Sequence, residues 1–267
     1  MKSPGIAIET NADYSPWSAD LGECFPDIMV GDLGGAEAMY DAGKLPYIHP
    51  MFKSNTPQAT IQRIAAGVYD TQLYAWLRRL KAYCDTGRKA VVAYLPEMNG
   101  NWCVYATDNS SAYEFKRAWK NFVNMAAELG ISGSSVQFCW APNDTGFGIL
   151  RDWYPGDGWV DIIGGSAYNW GGIFPNEPWE SFTFLADRYV MEVRRFTQRP
   201  IVITQTGSVR GDSRTPAWLD DAVFYTKNYN NIDGFIWFNL SEFTYEPGVD
   251  DWNRRVSPLN TTEACSA

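Results

Sequence analysis

The chain has 267 residues, 45% hydrophobic and 20% charged, a globular composition with enough length to bury a core without disulfide or metal staples. Its formal net charge of −9 argues against a polyanionic partner such as nucleic acid or an anionic membrane surface. One histidine and five cysteines without a Cys-x-x-Cys pair leave no ordinary zinc cluster, and no apolar run is long enough to cross a membrane.

In chain order, strand-like apolar runs occur at Ile6–Ile8, Ile28–Val30, Tyr47–Ile48, Ala90–Leu95, Val136–Trp140, Val160–Ile163, Ile201–Ile203 and Gly234–Phe238. Between them, Tyr69–Tyr83 carries apolar residues at Leu73, Trp76, Leu77 and Leu80, the spacing of a buried helical stripe. Ser111–Leu129, Phe182–Phe196 and Trp218–Tyr229 repeat that pattern. Asn109-Ser110-Ser111 and Thr215-Pro216 suit helix starts, and Gly130 suits a helix end. Apolar strands alternating with helices predict parallel strands buried on both faces. Eight of them over one chain without an internal linker predict a single (β/α)8 TIM barrel over residues 1–267. The alternative, an open doubly wound sheet, normally has a Gly-rich loop after its first strand, and Ile6-Ala7-Ile8-Glu9-Thr10-Asn11 has none.

Barrel enzymes place their chemistry at the C-terminal ends of the strands. Those ends read Glu9, Asp32, His49, Glu97, Asn143 with Asp144, Tyr168, Gln205, and Asn239 with Glu242. The ring is rich in carboxylates, amides and aromatics. It suits glycoside hydrolysis, which needs two carboxyl groups around a sugar, and suits Ser/Cys or metal chemistry poorly. The aromatic content of 15%, with 12 Trp, fits either stacking on sugar faces or a Trp-rich core.

The segment Leu95-Pro96-Glu97-Met98-Asn99-Gly100-Asn101-Trp102 resembles the acid/base motif of family 26 glycoside hydrolases, the β-mannanase family of a retaining clan of barrels. Ala65–Asp70, Trp140-Ala141-Pro142-Asn143, Asp161–Gly164, Pro200–Thr204 and Gly234–Asn239 resemble that family in the same order. The resemblance implies that Glu97 is the general acid/base. It implies that Trp102 stacks on sugar near the cleavage point, that Tyr168 hydrogen-bonds the nucleophile, and that Trp237 is the platform beneath the sugar. His49, Asn99 and Trp140 are further substrate-binding candidates, although His49 equally suits a satisfied buried histidine and Asn99-Gly100 a tight turn. Asp250-Asp251 and Glu242 with Glu246 resemble a cation site only loosely, and a solvated acidic loop explains them better.

Two positions depart from the family. Pro96 stands where the mannanases usually have His, and Gln205 falls where the family keeps its nucleophilic glutamate. An amide is a poor nucleophile and carries no charge to stabilise an oxocarbenium-like transition state. Three readings follow: a deliberate Glu-to-Gln replacement, a natural glycan-binding pseudoenzyme, or a nucleophile supplied by Glu242 or Asp144. The first is favoured, because Glu97, Trp102, Tyr168 and Trp237 are all retained. An acyl hydrolase is disfavoured by the missing Gly-x-Ser-x-Gly elbow.

The expectation is therefore a retaining endo-glycoside hydrolase, inactive in its Gln205 form, with β-mannan as the family's default substrate. It would need neither metal nor organic cofactor, and would act as a monomer on a polysaccharide. Such a substrate favours an extracellular site, although Met1-Lys2-Ser3-Pro4 begins no apolar signal region.

Overall fold

The computed structural model describes residues 5–10 (backbone only), 33–43, 45–52, 59–101, 103–105, 112–144, 146, 148–172, 177–209, 212–229 and 231–239. Its strands are β1 (Gly5–Thr10), β2 (Tyr47–Ile48), β3 (Ala90–Val92), β4 (Val136–Trp140), β5 (Ile162–Ile163), β6 (Ser166–Asn169), β7 (Val202–Ser208) and β8 (Gly234–Asn239). The helices are α1 (Leu33–Asp41), α2 (Ile61–Ala65), α3 (Asp70–Asp85), α4 (Ala112–Glu128), α5 (Leu150–Trp153), α6 (Phe182–Val193) and α7 (Thr215–Asn228). All strand pairs are parallel, in two four-stranded runs ordered β2-β3-β4-β5 and β1-β8-β7-β6. The chain divides into two compact units, one carrying the first run with α1–α5 and residues 196–199, the other carrying the second run with α6 and α7.

In the first unit, α3 buries Leu73, Trp76, Leu77 and Leu80, the stripe expected from the sequence. α4 buries Phe115, Ala118, Trp119, Phe122, Met125 and Ala126. The centre of this packing is Phe122, stacked on Tyr94 with ring centroids 4.0 Å apart and edge-on to Phe138 at 6.2 Å. Alternation along a strand puts every second residue on one face, so Tyr94, Phe138 and Trp140 point to the helices. Gly130, at φ 76, stops α4: Ile131 N–H donates to Ala126 C=O at 3.0 Å.

In the second unit, Phe182 of α6 meets Trp218 and Tyr225 of α7 and Phe235 of β8 at 5.4, 5.8 and 5.6 Å. Ser181 caps α6, its hydroxyl accepting from Phe184 N–H at 3.1 Å. Pro216 stands in the first turn of α7, where its missing N–H costs nothing.

The run Ile28–Val30 and the start Asn109-Ser110-Ser111 lie outside the described residues. The run Val160–Ile163 forms only the short β5, and after Gly164-Gly165 a strand that apolar patterning does not reveal, Ser166-Ala167-Tyr168-Asn169, pairs with β7. Gly165 is dictated by packing: a Cβ there would lie 2.5 Å from the Tyr189 ring.

Candidate active site

Glu97 lies in the segment that follows β3. The strand's pairing continues past Val92, with Ala93 N–H donating to Ile48 C=O at 2.8 Å and Leu95 N–H to Pro50 C=O at 3.1 Å. The backbone then turns sharply, with Leu95 at φ 50 and Glu97 at φ 52. A side chain in the left-handed region costs about 1–2 kcal/mol, so the surroundings must hold this turn in place. Glu97 N–H donates to Ala141 C=O at 2.7 Å, Gly100 N–H closes on Glu97 C=O at 2.9 Å, and the buried Tyr105 hydroxyl donates to Pro96 C=O at 2.9 Å.

The half-buried Glu97 carboxylate accepts from Asn143 Nδ2 at 2.9 Å. Asn143 is itself gripped by Asn99: Asn143 N–H donates to Asn99 Oδ1 and Asn99 Nδ2 donates to Asn143 C=O, both at 2.8 Å. Cys103 lies near enough to feel the Glu97 charge. Burial pushes its thiol up to about 12, Tyr105's hydrogen bond works against that shift, and the Glu97 charge adds to it. His49 is buried at 3% exposure and stacks on Tyr47, ring centroids 5.9 Å apart.

Gln205 lies inside β7, in register with Ser166 of β6, and Tyr168 is in register with Gly207. Residues in register on parallel strands share a face, so Gln205, Ser166 and Tyr168 point the same way. A bulge interrupts β7 here: Ile203 pairs with Phe235 and Thr206 with Trp237, leaving Thr204 and Gln205 opposite Ile236 alone. The N–H groups of Thr204 and Gln205 both donate to Gly165 C=O, at 2.9 and 3.2 Å, and the Thr204 hydroxyl accepts from Gly165 N–H at 3.1 Å. Such bulges re-aim a side chain, and they recur beside active sites.

The other expected residues divide. Trp102 lies outside the described residues. Asn99 is 1% exposed and its amide serves the backbone of Asn143, which replaces the expected contact with a sugar hydroxyl. Trp140 is fully buried, edge-on to Tyr154 at 5.1 Å and Phe196 at 6.2 Å. Trp237 is fully buried, edge-on to Trp218 of α7 at 5.9 Å. Trp237 thus packs between β8 and α7, where the resemblance implied an open sugar platform, and Trp140 is enclosed by Tyr154 and Phe196. The sequence reading placed Asn143 in the ring of strand ends without a role; its signal was its place after Trp140-Ala141-Pro142. Among the described residues no group of three or more His, Cys, Asp or Glu side chains could hold a metal ion, and no helix is long and apolar enough to cross a membrane.

Residues 62–187 match the model of glycosyl hydrolase family 26. The chain is 25% identical over 262 residues to Endoglucanase H of Acetivibrio thermocellus; the match covers 95% of this chain but 27% of that protein, so the chain spans about a quarter of its relative's length. Among solved structures, the catalytic domain of the Bacillus sp. JAMB-750 family 26 endo-β-1,4-mannanase superposes with a TM-score of 0.60 at 14% identity, covering 90% of this chain and 68% of that one. The β-mannanase from a symbiotic protist of the termite Reticulitermes speratus, complexed with gluco-manno-oligosaccharide, gives 0.54 at 18% identity, covering 78% and 62%. The chain thus resembles family 26 glycoside hydrolases in sequence and in fold, and the fold is a (β/α)8 barrel.

Proposed function

We propose that the chain is a single catalytic domain of a retaining, endo-acting glycoside hydrolase for a β-linked polysaccharide, carrying an amide at its nucleophile position. The observation that carries this reading is Glu97: a half-buried carboxylate in a left-handed turn after β3, held by Asn143, in the segment that resembles the family's acid/base motif. In the reaction, Glu97 protonates the leaving glycosidic oxygen and then, as carboxylate, activates the water that releases the sugar. A glutamate at position 205 would form the glycosyl-enzyme between those steps. Tyr168, on the same face of the neighbouring strand, would hydrogen-bond that residue.

With Gln205 the chain keeps the shape of the site without the charge or the nucleophile. It binds its oligosaccharide and turns it over slowly or not at all. β-Mannan is the first substrate to test, since matched structures are mannanases. β-Glucan is the second, because Pro96 replaces the mannanases' histidine and a sequence relative is named an endoglucanase. Gln205 also favours a second reading, a natural glycan-binding protein on the same barrel. Hydrolysis of purified polysaccharides by the Gln205→Glu protein supports the enzyme, and binding without hydrolysis supports the second reading.

A further inference from the structure

We propose that Asn143 is the positioning residue of Glu97 and that Asn99 holds Asn143 in that role; this rests on the glycosidase reading in which Glu97 is the acid/base. A carboxylate only accepts hydrogen bonds, so the 2.9 Å contact requires the Asn143 amide nitrogen, and not its oxygen, to face Glu97 Oε1. Asn143 cannot swing away easily, because both polar groups of its backbone are paired with the Asn99 side chain at 2.8 Å. Gly146 also packs against Asn99: a Cβ there would lie 2.3 Å from Asn99 Nδ2 and 2.7 Å from Asn99 C=O. Gly146, Asn99, Asn143 and Glu97 therefore form one clasp joining the segment after β3 to the segment after β4.

The clasp has a chemical consequence. An oxygen that accepts an amide N–H is the carbonyl-like oxygen of a protonated carboxyl. Oε1 is thus the oxygen turned to Asn143, and the transferable proton sits on Oε2. Acid catalysis needs that proton aimed at the leaving oxygen, and base catalysis needs the same oxygen aimed at water. A carboxyl free to rotate satisfies neither for much of the time.

The first test needs no catalysis. In the present chain labelled with ¹⁵N-asparagine, the Asn143 side-chain amide signals are identified by their loss in Asn143→Ala or, if that variant fails to fold, in Asn143→Asp. They are expected to move in Glu97→Gln; signals unchanged by Glu97→Gln overturn the proposal. The second test uses the Gln205→Glu background. Asn143→Ala is expected to lower kcat/KM on an oligosaccharide by roughly 10–100-fold, the scale of a misplaced catalytic group. On a nitrophenyl glycoside, whose departure needs no acid, kcat/KM should change by no more than about threefold. Asn143→Asp, which sets a second carboxylate against Glu97, should do no better than Asn143→Ala on the oligosaccharide. Equal losses on both substrates make Asn143 merely structural and overturn the proposal. If Gln205→Glu is inert on both, the glycosidase reading fails, and the amide signals alone decide whether Asn143 holds Glu97.

Discussion

Replacement of Trp237 by alanine separates a core indole from a sugar platform. The family resemblance makes Trp237 a stacking surface, whose loss weakens oligosaccharide binding and leaves the fold intact. The structure places it elsewhere: fully buried on β8, on the face it shares with Phe235, edge-on to Trp218 at 5.9 Å and an interplanar angle of 67°. Truncating a buried Trp to Ala costs about 3–5 kcal/mol, from lost transfer energy and the cavity left behind. That is a large share of a typical total of about 5–15 kcal/mol. At about 2–4 °C per kcal/mol for a chain of this size, Tm should fall by roughly 6–20 °C. Thermal unfolding followed by near-UV circular dichroism measures the shift, and calorimetry below the transition measures affinity per folded molecule. A Tm within about 3 °C of the parent, together with an affinity loss of tenfold or more, would refute the core assignment and restore the platform.

Gly165→Ala should destabilise the fold by about 1–3 kcal/mol in chemical denaturation, because its methyl would lie 2.5 Å from the Tyr189 ring at the carbonyl that anchors the β7 bulge; a loss under about 0.5 kcal/mol would contradict that packing. With Cys24→Ser and Cys265→Ser in place, the free thiols of Cys84, Cys103 and Cys139, each raised by burial, should react slowly with Ellman's reagent at pH 8 and rapidly in denaturant; full fast labelling of the native protein would count against the burial. The Arg214 side chain and N–H lower Asp212 to about 2, below its unfolded value of about 3.9. Its contribution is therefore complete above about pH 4 and is lost as pH falls towards 2, so the stability gap between the parent and Asp212→Asn should close over that window. The pair lies at the surface, with Arg214 exposed, so the gap should be small and shrink with salt; a gap independent of pH would contradict the ion pair.

The helices were legible because their signal is local. Leu73, Trp76, Leu77 and Leu80, and Phe115, Ala118, Trp119 and Phe122, recur at the period of a helix that buries one side. The strands with Val, Ile and Phe runs were equally plain. β6 was not, since Ser166-Ala167-Tyr168-Asn169 has no apolar run and owes its strand to pairing with β7, a long-range cause. The same limit governs the site. Glu97 and Gln205 were singled out through short motifs and their places at strand ends, which carry residue identity. Asn99 and Asn143 were read as a possible sugar donor and an unassigned strand end. Their mutual grip depends on two segments 44 residues apart, which no local pattern encodes. The burial of Trp140 and Trp237 was hidden for a related reason: a motif fixes an indole's place along a strand, while the pleat and the neighbouring elements decide which face it occupies.

The central claim is that position 205 is the nucleophile position of a retaining glycosidase, and one comparison tests it most directly: hydrolysis of β-mannan and β-glucan, with product sizes, by the present chain and by Gln205→Glu. A carboxylate restores covalent catalysis together with the charge that stabilises the oxocarbenium-like transition state. The account predicts that Gln205→Glu releases oligosaccharides from one of these polymers at least about a thousandfold faster than the Gln205 chain, whose rate stays near background. A Gln205 chain that already turns over at about 1–1000 s⁻¹, or a Gln205→Glu chain that stays inert on both polymers, contradicts it.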